Sequence, residues 1–182
     1  TDRSLGGSAI VVVDSETQIP RTIFTSPEII LQSSVSRDGT RLAFVSGELR
    51  ETLVEVRIAD GRVRALESGS HLSRFPSLSP DGTRLAFSGV AGDVTGTIRE
   101  MTLSATNEVV SKTITVVDGG QMIEHVQWSP DGARILFSAL GPAGSGVMMV
   151  PAAGGRALRV DPDAPMSRGG VWSPDGTHIV YR

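Results

Sequence analysis

Residues 79–88 read SPDGTRLAFS, and this stretch recurs three more times along the chain. The other copies are SRDGTRLAFV at 36–45, SPDGARILFS at 129–138 and SPDGTHIVYR at 173–182. Successive copies are separated by 43, 50 and 44 residues, counted between the aspartates Asp38, Asp81, Asp131 and Asp175. A period of about 40–45 residues is typical of β-propellers, in which each repeat forms one four-stranded blade. The repeat therefore predicts an all-β protein made of four-stranded antiparallel blades.

Each copy predicts a β-hairpin. Proline presets φ for a turn, aspartate hydrogen-bonds to nearby backbone groups, and glycine tolerates a positive φ. Apolar and aromatic runs flank the turn, as in residues 126–128 before one copy and 135–137 after it, and such runs favour strands. One carboxylate per blade cannot converge on a single ion. We therefore interpret the four aspartates as turn formers rather than as cation ligands.

The strand pattern predicts three complete blades, at about residues 30–67, 75–117 and 125–160. A pair of strands precedes them at 8–24, in the phase of an outer half-blade, and another follows at 170–182, in the phase of an inner half-blade. Propellers commonly leave no long open edge, so we expect these two pairs to share one blade. Three arrangements remain open: a complete four-bladed ring, a homodimer forming an eight-bladed ring, or a piece of a larger ring.

Bulk composition excludes several classes of protein. A length of 182 residues fits a single domain. The net charge of −3 offers no basic field for a nucleic-acid partner, and no apolar run approaches the roughly 18 residues of a membrane-inserted helix. The absence of cysteine excludes disulfides, thiolate zinc sites and cysteine nucleophiles.

The sequence contains no motif that predicts catalysis. It lacks the Gly-x-Ser-x-Gly elbow of serine hydrolases and the glycine-rich loops that bind phosphate, so we predict neither an enzyme nor a cofactor site. His71 and His125 could approach each other beside Glu124, whereas His178 follows a turn at the other end of the blades. A metal-dependent propeller enzyme is therefore the least favoured alternative.

The start of each blade's first strand is the candidate binding surface. In a propeller this strand lines the central channel, and equivalent positions of successive blades face a common axis. Residues six and seven positions before each turn aspartate should therefore cluster at the channel mouth, where arginine and aromatic side chains are common anchors of protein interfaces. The candidate partner-binding residues are His71, Arg74, Phe75, Gln121, Glu124, His125 and Arg168. Gln32 and the predicted loops 47–51, 89–96 and 140–145 are expected on the same face.

The SPDGTRLAFS motif resembles the PD40, or WD40-like, repeat of TolB-type β-propellers, with four copies in phase over nearly the whole chain. The position three before the aspartate is usually aromatic in that repeat. Trp128 and Trp172 match it, Val35 and Leu78 depart from it, and Arg37 replaces the proline of the first copy. Relatives in this repeat class usually form six to eight blades.

The resemblance implies a non-catalytic propeller that binds a protein or peptide at the channel mouth, in the periplasm or another extracytoplasmic compartment. A composition rich in arginine with a single lysine, Lys112, is typical of a bacterial protein from a GC-rich genome. The alternative is a regulatory, gating or sensor propeller belonging to a larger enzyme, such as a prolyl-oligopeptidase-type peptidase, or to a regulator.

Overall fold

The structure is a computed structural model that describes residues 8–27, 30–46, 52–67, 73–91, 94–103, 110–116, 121–141, 144–164 and 166–182. Every regular element in these ranges is a β-strand. The strands are β1 (Ser8–Val13), β2 (Pro20–Ser26), β3 (Ile30–Val35), β4 (Arg41–Ser46), β5 (Thr52–Arg57), β6 (Val63–Glu67), β7 (Arg74–Leu78), β8 (Arg84–Ala91), β9 (Val94–Thr102), β10 (Val110–Val116), β11 (Met122–Trp128), β12 (Arg134–Gly141), β13 (Gly144–Pro151), β14 (Leu158–Arg159), β15 (Val171–Trp172) and β16 (Ile179–Val180). Within the described ranges, no helix is long and apolar enough to cross a membrane.

The strands form three four-stranded antiparallel sheets and two pairs. We name the sheets blade 1 (β3–β6), blade 2 (β7–β10) and blade 3 (β11–β14); in each of them the strands lie in chain order. The pairs are β1–β2 and β15–β16. The predicted all-β fold with four-stranded antiparallel blades is confirmed.

The two pairs do not share a blade in this structure. They form separate two-stranded sheets, so the predicted hydrogen bonding between residues 8–24 and 170–182 is absent and the described strands form an open series rather than a closed ring. The physical reason is packing. Ile10 and Phe24 lie against blade 1, whereas Gly170 lies against Val147 and Leu136 of blade 3, and the three complete blades separate the pairs.

Two predicted loops are shorter than the sequence suggested. β8 runs to Ala91, which pairs with Val94, and β12 runs to Gly141, which pairs with Gly144, because each antiparallel ladder continues into the segment predicted as a loop. Of the predicted loop segments 89–96 and 140–145, only residues 92–93 and 142–143 are outside the described strands. The predicted loop 47–51 lies outside the described residues.

The repeated turn is held by its serine and its aspartate. Ser79 Oγ donates a 2.6 Å hydrogen bond to Asp81 Oδ1, which also accepts from the backbone N–H of Thr83 at 3.1 Å. The other three turns repeat this pattern. These donors lower the pKa of Asp38, Asp81 and Asp175 to about 2, the serine hydroxyl being the largest cause. The turn-forming role of the aspartates is confirmed.

The hydrophobic core lies between successive sheets. Phe44 packs toward β1–β2, with its ring centroid 5.2 Å from that of Phe24. Phe87 packs with residues of blade 1, and Phe137 packs with residues of blade 2. Each phenylalanine is at most 1% exposed and occupies the same repeat position. We call the side of a sheet that these rings occupy, toward the preceding sheet, its backward face, and the opposite side its forward face.

A hydrogen bond repeats between neighbouring inner strands. The acceptor is the side chain of the residue four positions before the turn aspartate. The donor is a backbone N–H group in the next repeat, on the residue three positions before that repeat's own aspartate. The pairs, all between 3.0 and 3.1 Å, are Ser34 with Leu78, Ser77 with Trp128, and Gln127 with Trp172. The inner strands are therefore joined across sheets that share no backbone ladder.

Candidate partner-binding site at the channel mouth

One position of every repeat has left-handed backbone geometry. The residue six before the turn aspartate has a φ of 42° at Gln32, 53° at Phe75, 54° at His125 and 67° at Gly169. The β-ladder shifts register at this point in β3, β7 and β11, which marks a β-bulge. A bulge re-aims a side chain out of the regular alternation. A left-handed conformation costs a non-glycine residue about 1–2 kcal/mol. Three repeats accept this backbone strain and keep a side chain at the position, whereas the fourth repeat has Gly169 there.

These bulges lie around one cleft, which we call the mouth cleft. Its volume is about 350 Å³, and it is lined by Gln32, Ser33, Phe75, Pro76, His125, Val126, Gln127, Gly170 and Val171. The rings of Phe75 and His125 contact each other with a centroid distance of 5.7 Å and an interplanar angle of 33°. The cleft thus combines an aromatic pair with apolar and amide groups.

Two glutamines supply oriented donors. Gln32 Oε1 accepts from the Phe75 backbone N–H at 2.7 Å, and Gln127 Oε1 accepts from the Trp172 N–H at 3.0 Å. The side-chain oxygen of each glutamine therefore already accepts a hydrogen bond from the backbone of the next repeat. Within the described part of the chain, neither Nε2 group donates to another protein group, so both remain available to a bound acceptor.

An acid stands beside the imidazole at the cleft. Glu124 Oε2 lies 3.8 Å from His125 Nδ1, and the two side chains are 26% and 47% exposed. The contact places a carboxylate and an imidazole side by side at this end of the cleft.

Gln121, Arg168 and Arg74, three further candidate residues, are not among the residues that line the mouth cleft. Gln121 Nε2 donates to the Gly144 carbonyl at 3.4 Å. Arg168 is exposed, and its backbone exchanges hydrogen bonds of 2.8 and 3.1 Å with Arg182. Arg74 is half-buried, and its carbonyl accepts from Ser88 Oγ. His71 lies outside the described residues.

Sequence reasoning missed Gln127, Pro76 and Val171 as cleft residues. Of these three, only Gln127 could have been noticed in the sequence. It has a longer side chain than Ser34 and Ser77, which occupy the same position in two other repeats. Its longer side chain makes the same hydrogen bond to the next repeat and also reaches the cleft lining.

A second cleft of about 340 Å³ lies among the repeated turns at the opposite end of the inner strands. Its lining includes Arg37 and the turn prolines Pro80, Pro130 and Pro174. Trp128 also borders it, but the indole Nε1 is buried without a hydrogen-bond partner and is not accessible to a ligand. This cleft follows from the stacking of adjacent turns.

Metal-binding geometry does not occur within the described ranges. They contain no group of three or more histidine, cysteine, aspartate or glutamate side chains placed to hold an ion. His178 is exposed in its hairpin, with Nδ1 2.7 Å from Thr177 Oγ1.

Repeated antiparallel blades, stacked through their faces with their first strands around a cleft, define a β-propeller domain of the repeat-built class. The chain belongs to the TolB β-propeller domain (PD40) family, whose model matches residues 3–182. The resemblance carried by the repeated SPDGTRLAFS motif is thereby confirmed.

Solved structures share this fold. TolB from Acinetobacter baumannii is 22% identical with a TM-score of 0.77, over 95% of this chain and 42% of that one. The β-propeller domain of the Trilobed protease from Pyrococcus furiosus is 18% identical with a TM-score of 0.60, over 81% of this chain and 46% of that one. Pyrococcus horikoshii acylaminoacyl peptidase is 17% identical with a TM-score of 0.60, over 85% of this chain and 28% of that one. The chain therefore spans less than half the length of each of these relatives.

Proposed function

We propose that this domain is a non-catalytic binding propeller that takes a protein segment or peptide at the mouth cleft. The observation that carries the proposal is the set of side chains kept at left-handed positions around one opening, namely Gln32, Phe75 and His125. Glycine would relieve the backbone strain at these positions. Such strain is typically kept at sites where the side chain has a function. Here the side chains form the lining of a cleft.

The chemistry of the lining suits a peptide. Aromatic groups such as Phe75 are common anchors of protein interfaces. The free Nε2 groups of Gln32 and Gln127 are donors for peptide carbonyl oxygens. Because both amides are held by backbone N–H groups, little side-chain freedom is lost on binding.

Peptide selection tests the proposal. A library of random 12-residue peptides is selected on the immobilised domain, and the affinity of each selected peptide is measured by fluorescence anisotropy. The double variant Phe75→Gly/His125→Gly removes both rings but accepts the positive φ, so its fold should be retained. We expect it to bind at least about tenfold more weakly, equivalent to about 1.4 kcal/mol.

The matched control is His178→Gly, which removes an exposed imidazole at the opposite end of the blades. Its affinity should equal that of the unsubstituted domain, and circular dichroism should show both variants folded. Selected peptides that bind the double variant as tightly as the parent would refute the site.

A second candidate function is a regulatory or gating propeller of a larger peptidase. The structural similarity to the propeller-containing proteases supports it. In that case the cleft receives peptides on their way to a catalytic domain. An α/β-hydrolase segment encoded in the same reading frame would support this alternative, and a complete frame without one would eliminate it.

For the cellular compartment we propose the periplasm or another extracytoplasmic space, on the basis of the family alone. Fractionation of the source cells, with the domain detected by antibody, tests this. Recovery in the cytoplasmic fraction would contradict it.

A further inference from the structure

Glu124 is a carboxylate with one ionisable neighbour. Its Oε2 atom lies 3.8 Å from His125 Nδ1, and its side chain is only 26% exposed. Within the described residues, this carboxylate makes no other ion pair and accepts no hydrogen bond. A carboxylate that has lost most of its contact with water is normally stabilised by cations or by hydrogen-bond donors. Glu124 therefore has acceptor capacity that the described part of the chain does not use.

Two other glutamates of low exposure show the usual arrangement in this fold. Glu55 is 13% exposed and lies within ion-pair distance of Arg41 and Arg64. Glu100 is 4% exposed and has Arg84 and Lys112 as partners. Each of them is thus held between two basic side chains. Glu124 differs from both, because neither an arginine nor a lysine among the described residues reaches its carboxylate.

Glu124 lies at one end of the mouth cleft. It pairs with Ser138 across β11–β12, so the two side chains are on the same face of blade 3. Ser138 Oγ accepts a 3.0 Å hydrogen bond from the N–H of Gly169, and Gly170, the next residue, lines the cleft. The glutamate is therefore on the side of blade 3 that faces the Gly170 wall. We call the part of the mouth cleft beside Glu124 and His125 its acidic end.

An aromatic surface adjoins the acidic end. At the bulge position, each side chain contacts the next repeat: Gln32 accepts from the Phe75 N–H, and the Phe75 ring contacts His125. The residue that follows in this series is Gly169, which has no side chain. The His125 side chain is 47% exposed, so the imidazole remains open to a ligand. Aromatic rings attract guanidinium and ammonium groups through the negative charge of their faces.

The cleft contains no basic side chain that could neutralise Glu124. The residues that line it include no lysine and no arginine. Arg74 and Arg168 occupy the position of Glu124 in the repeats before and after it, but neither lines the cleft and neither forms an ion pair with Glu124. A positive charge at the acidic end must therefore come from the ligand.

We propose that the peptide bound in the mouth cleft is anchored by one basic side chain, which pairs with the Glu124 carboxylate and packs on the rings of His125 and Phe75. This inference rests on the proposed peptide-binding function and adds the chemistry of the anchor residue. Arginine suits the site better than lysine, since a planar guanidinium both pairs with a carboxylate through two hydrogen bonds and stacks on a ring. Peptides with arginine at the anchor position should bind more tightly than the same peptides with lysine.

Peptide selection on a charge-neutral variant gives the first test. Random 12-residue peptides are selected in parallel on the parent domain and on Glu124→Gln, which keeps the size of the side chain and removes its negative charge. Peptides selected on the parent should share an arginine or lysine at one position. Peptides selected on Glu124→Gln should show no such enrichment. Circular dichroism confirms that the variant is folded.

Affinities measured by fluorescence anisotropy then assign the charge pair. Glu124→Gln and replacement of the peptide's basic residue by alanine should each weaken binding about tenfold, and the two changes together should cost little more than either alone. Because the pair is partly exposed, raising sodium chloride from about 50 to about 500 mM should weaken binding of the basic peptide severalfold. The matched control is Glu16→Gln, which neutralises an exposed glutamate in the β1–β2 turn and should bind like the parent.

The outcomes separate this inference from the function on which it rests. Peptides that lose affinity for Phe75→Gly/His125→Gly but carry no shared basic residue would overturn the basic anchor and leave the peptide-binding function in place. Basic peptides that bind Glu124→Gln as tightly as the parent would do the same. If no selected peptide depends on Phe75 and His125, both the anchor and the proposed function are wrong.

Discussion

Ser77 Oγ accepts a 3.1 Å hydrogen bond from the backbone N–H of Trp128, and this contact joins the inner strand of blade 2 to that of blade 3. Trp128 is only 5% exposed, so water does not replace a lost acceptor. Ser77→Ala should therefore lower the free energy of unfolding by about 1–3 kcal/mol, measured by urea denaturation. Ser33→Ala, an exposed serine of β3, is the control and should change it by less than about 0.5 kcal/mol. Equal effects of the two substitutions would contradict the role given to Ser77.

Gly170 sits where β15–β16 packs on blade 3. A Cβ atom at this position would lie 2.7 Å from Val147 Cγ1 and 3.0 Å from Leu136 Cδ2. Gly170→Ala should overpack the junction and cost about 1–3 kcal/mol. Val147→Ala opens space at the same point, so in a double-mutant cycle the combined loss should be smaller than the sum of the single losses. Strictly additive losses would show that the two residues do not meet.

The turn aspartates predict acid sensitivity. The pKa of Asp38, Asp81 and Asp175 is about 2 in the folded chain, below the ordinary value of 3.8, because serine hydroxyl and backbone donors stabilise the carboxylate. A lowered folded pKa stabilises the fold at neutral pH, and that contribution is lost as pH falls from about 4 to about 2. The melting temperature should therefore decline across this window. Replacing all three by asparagine removes the titrating groups and should flatten the decline; an unchanged profile would contradict the assignment.

Arg84 combines an ion pair within blade 2 with a ring contact to Trp128 of blade 3. Its Nη1 lies 3.4 Å from Glu100 Oε2, and its guanidinium carbon is 4.4 Å from the Trp128 ring centroid. Arg84→Ala should cost about 1–3 kcal/mol, because buried Glu100 then keeps, among the described residues, only Lys112 as an ion-pair partner. Arg134→Ala replaces an exposed arginine at the same repeat position and should cost less than about 0.5 kcal/mol. Thermal or urea unfolding of both variants checks the difference.

His125 is predicted to lower the stability of the fold and to strengthen peptide binding at the mouth cleft. Its φ of 54° is unfavourable for histidine and acceptable for glycine. His125→Gly should therefore raise the free energy of unfolding by about 1 kcal/mol while weakening peptide binding at the mouth cleft. His178→Gly, where φ is not positive, should lower it by up to about 1 kcal/mol. A His125→Gly domain that is less stable than the parent would mean that the imidazole packs more than its 47% exposed side chain indicates.

Much of the architecture could be predicted because it depends on short-range patterns. The Pro-Asp-Gly turns specify their hairpins through contacts within a few residues, and apolar runs beside them mark the strands. Phe75 and His125 could be nominated from repeat position alone, and the structure places their rings 5.7 Å apart. Their role in binding stays a prediction, as does that of the other candidate residues.

The parts that sequence reasoning did not reach depend on how neighbouring sheets meet. Nothing in the local sequence signals a positive φ at Phe75 or His125, since neither residue favours it. Gln127 was overlooked because its hydrogen bond goes to Trp172, 45 residues away. The backbone pairing of Arg168 with Arg182 is likewise invisible in the local sequence, and the role of Arg168 in binding stays a prediction.

The repeat, its period, the four hairpins and the division into four-stranded blades can all be read from the sequence, because each is set by contacts between residues close together in the chain. The packing of the sheets, in contrast, sets the separation of residues 8–24 and 170–182 into two pairs and brings the bulges of β3, β7 and β11 around one cleft. These outcomes depend on the packing of one sheet on the next, and the side chains that meet there are a whole repeat apart. A repeat pattern identifies equivalent positions in the four repeats, but the side chains that each position contacts depend on how adjacent sheets pack.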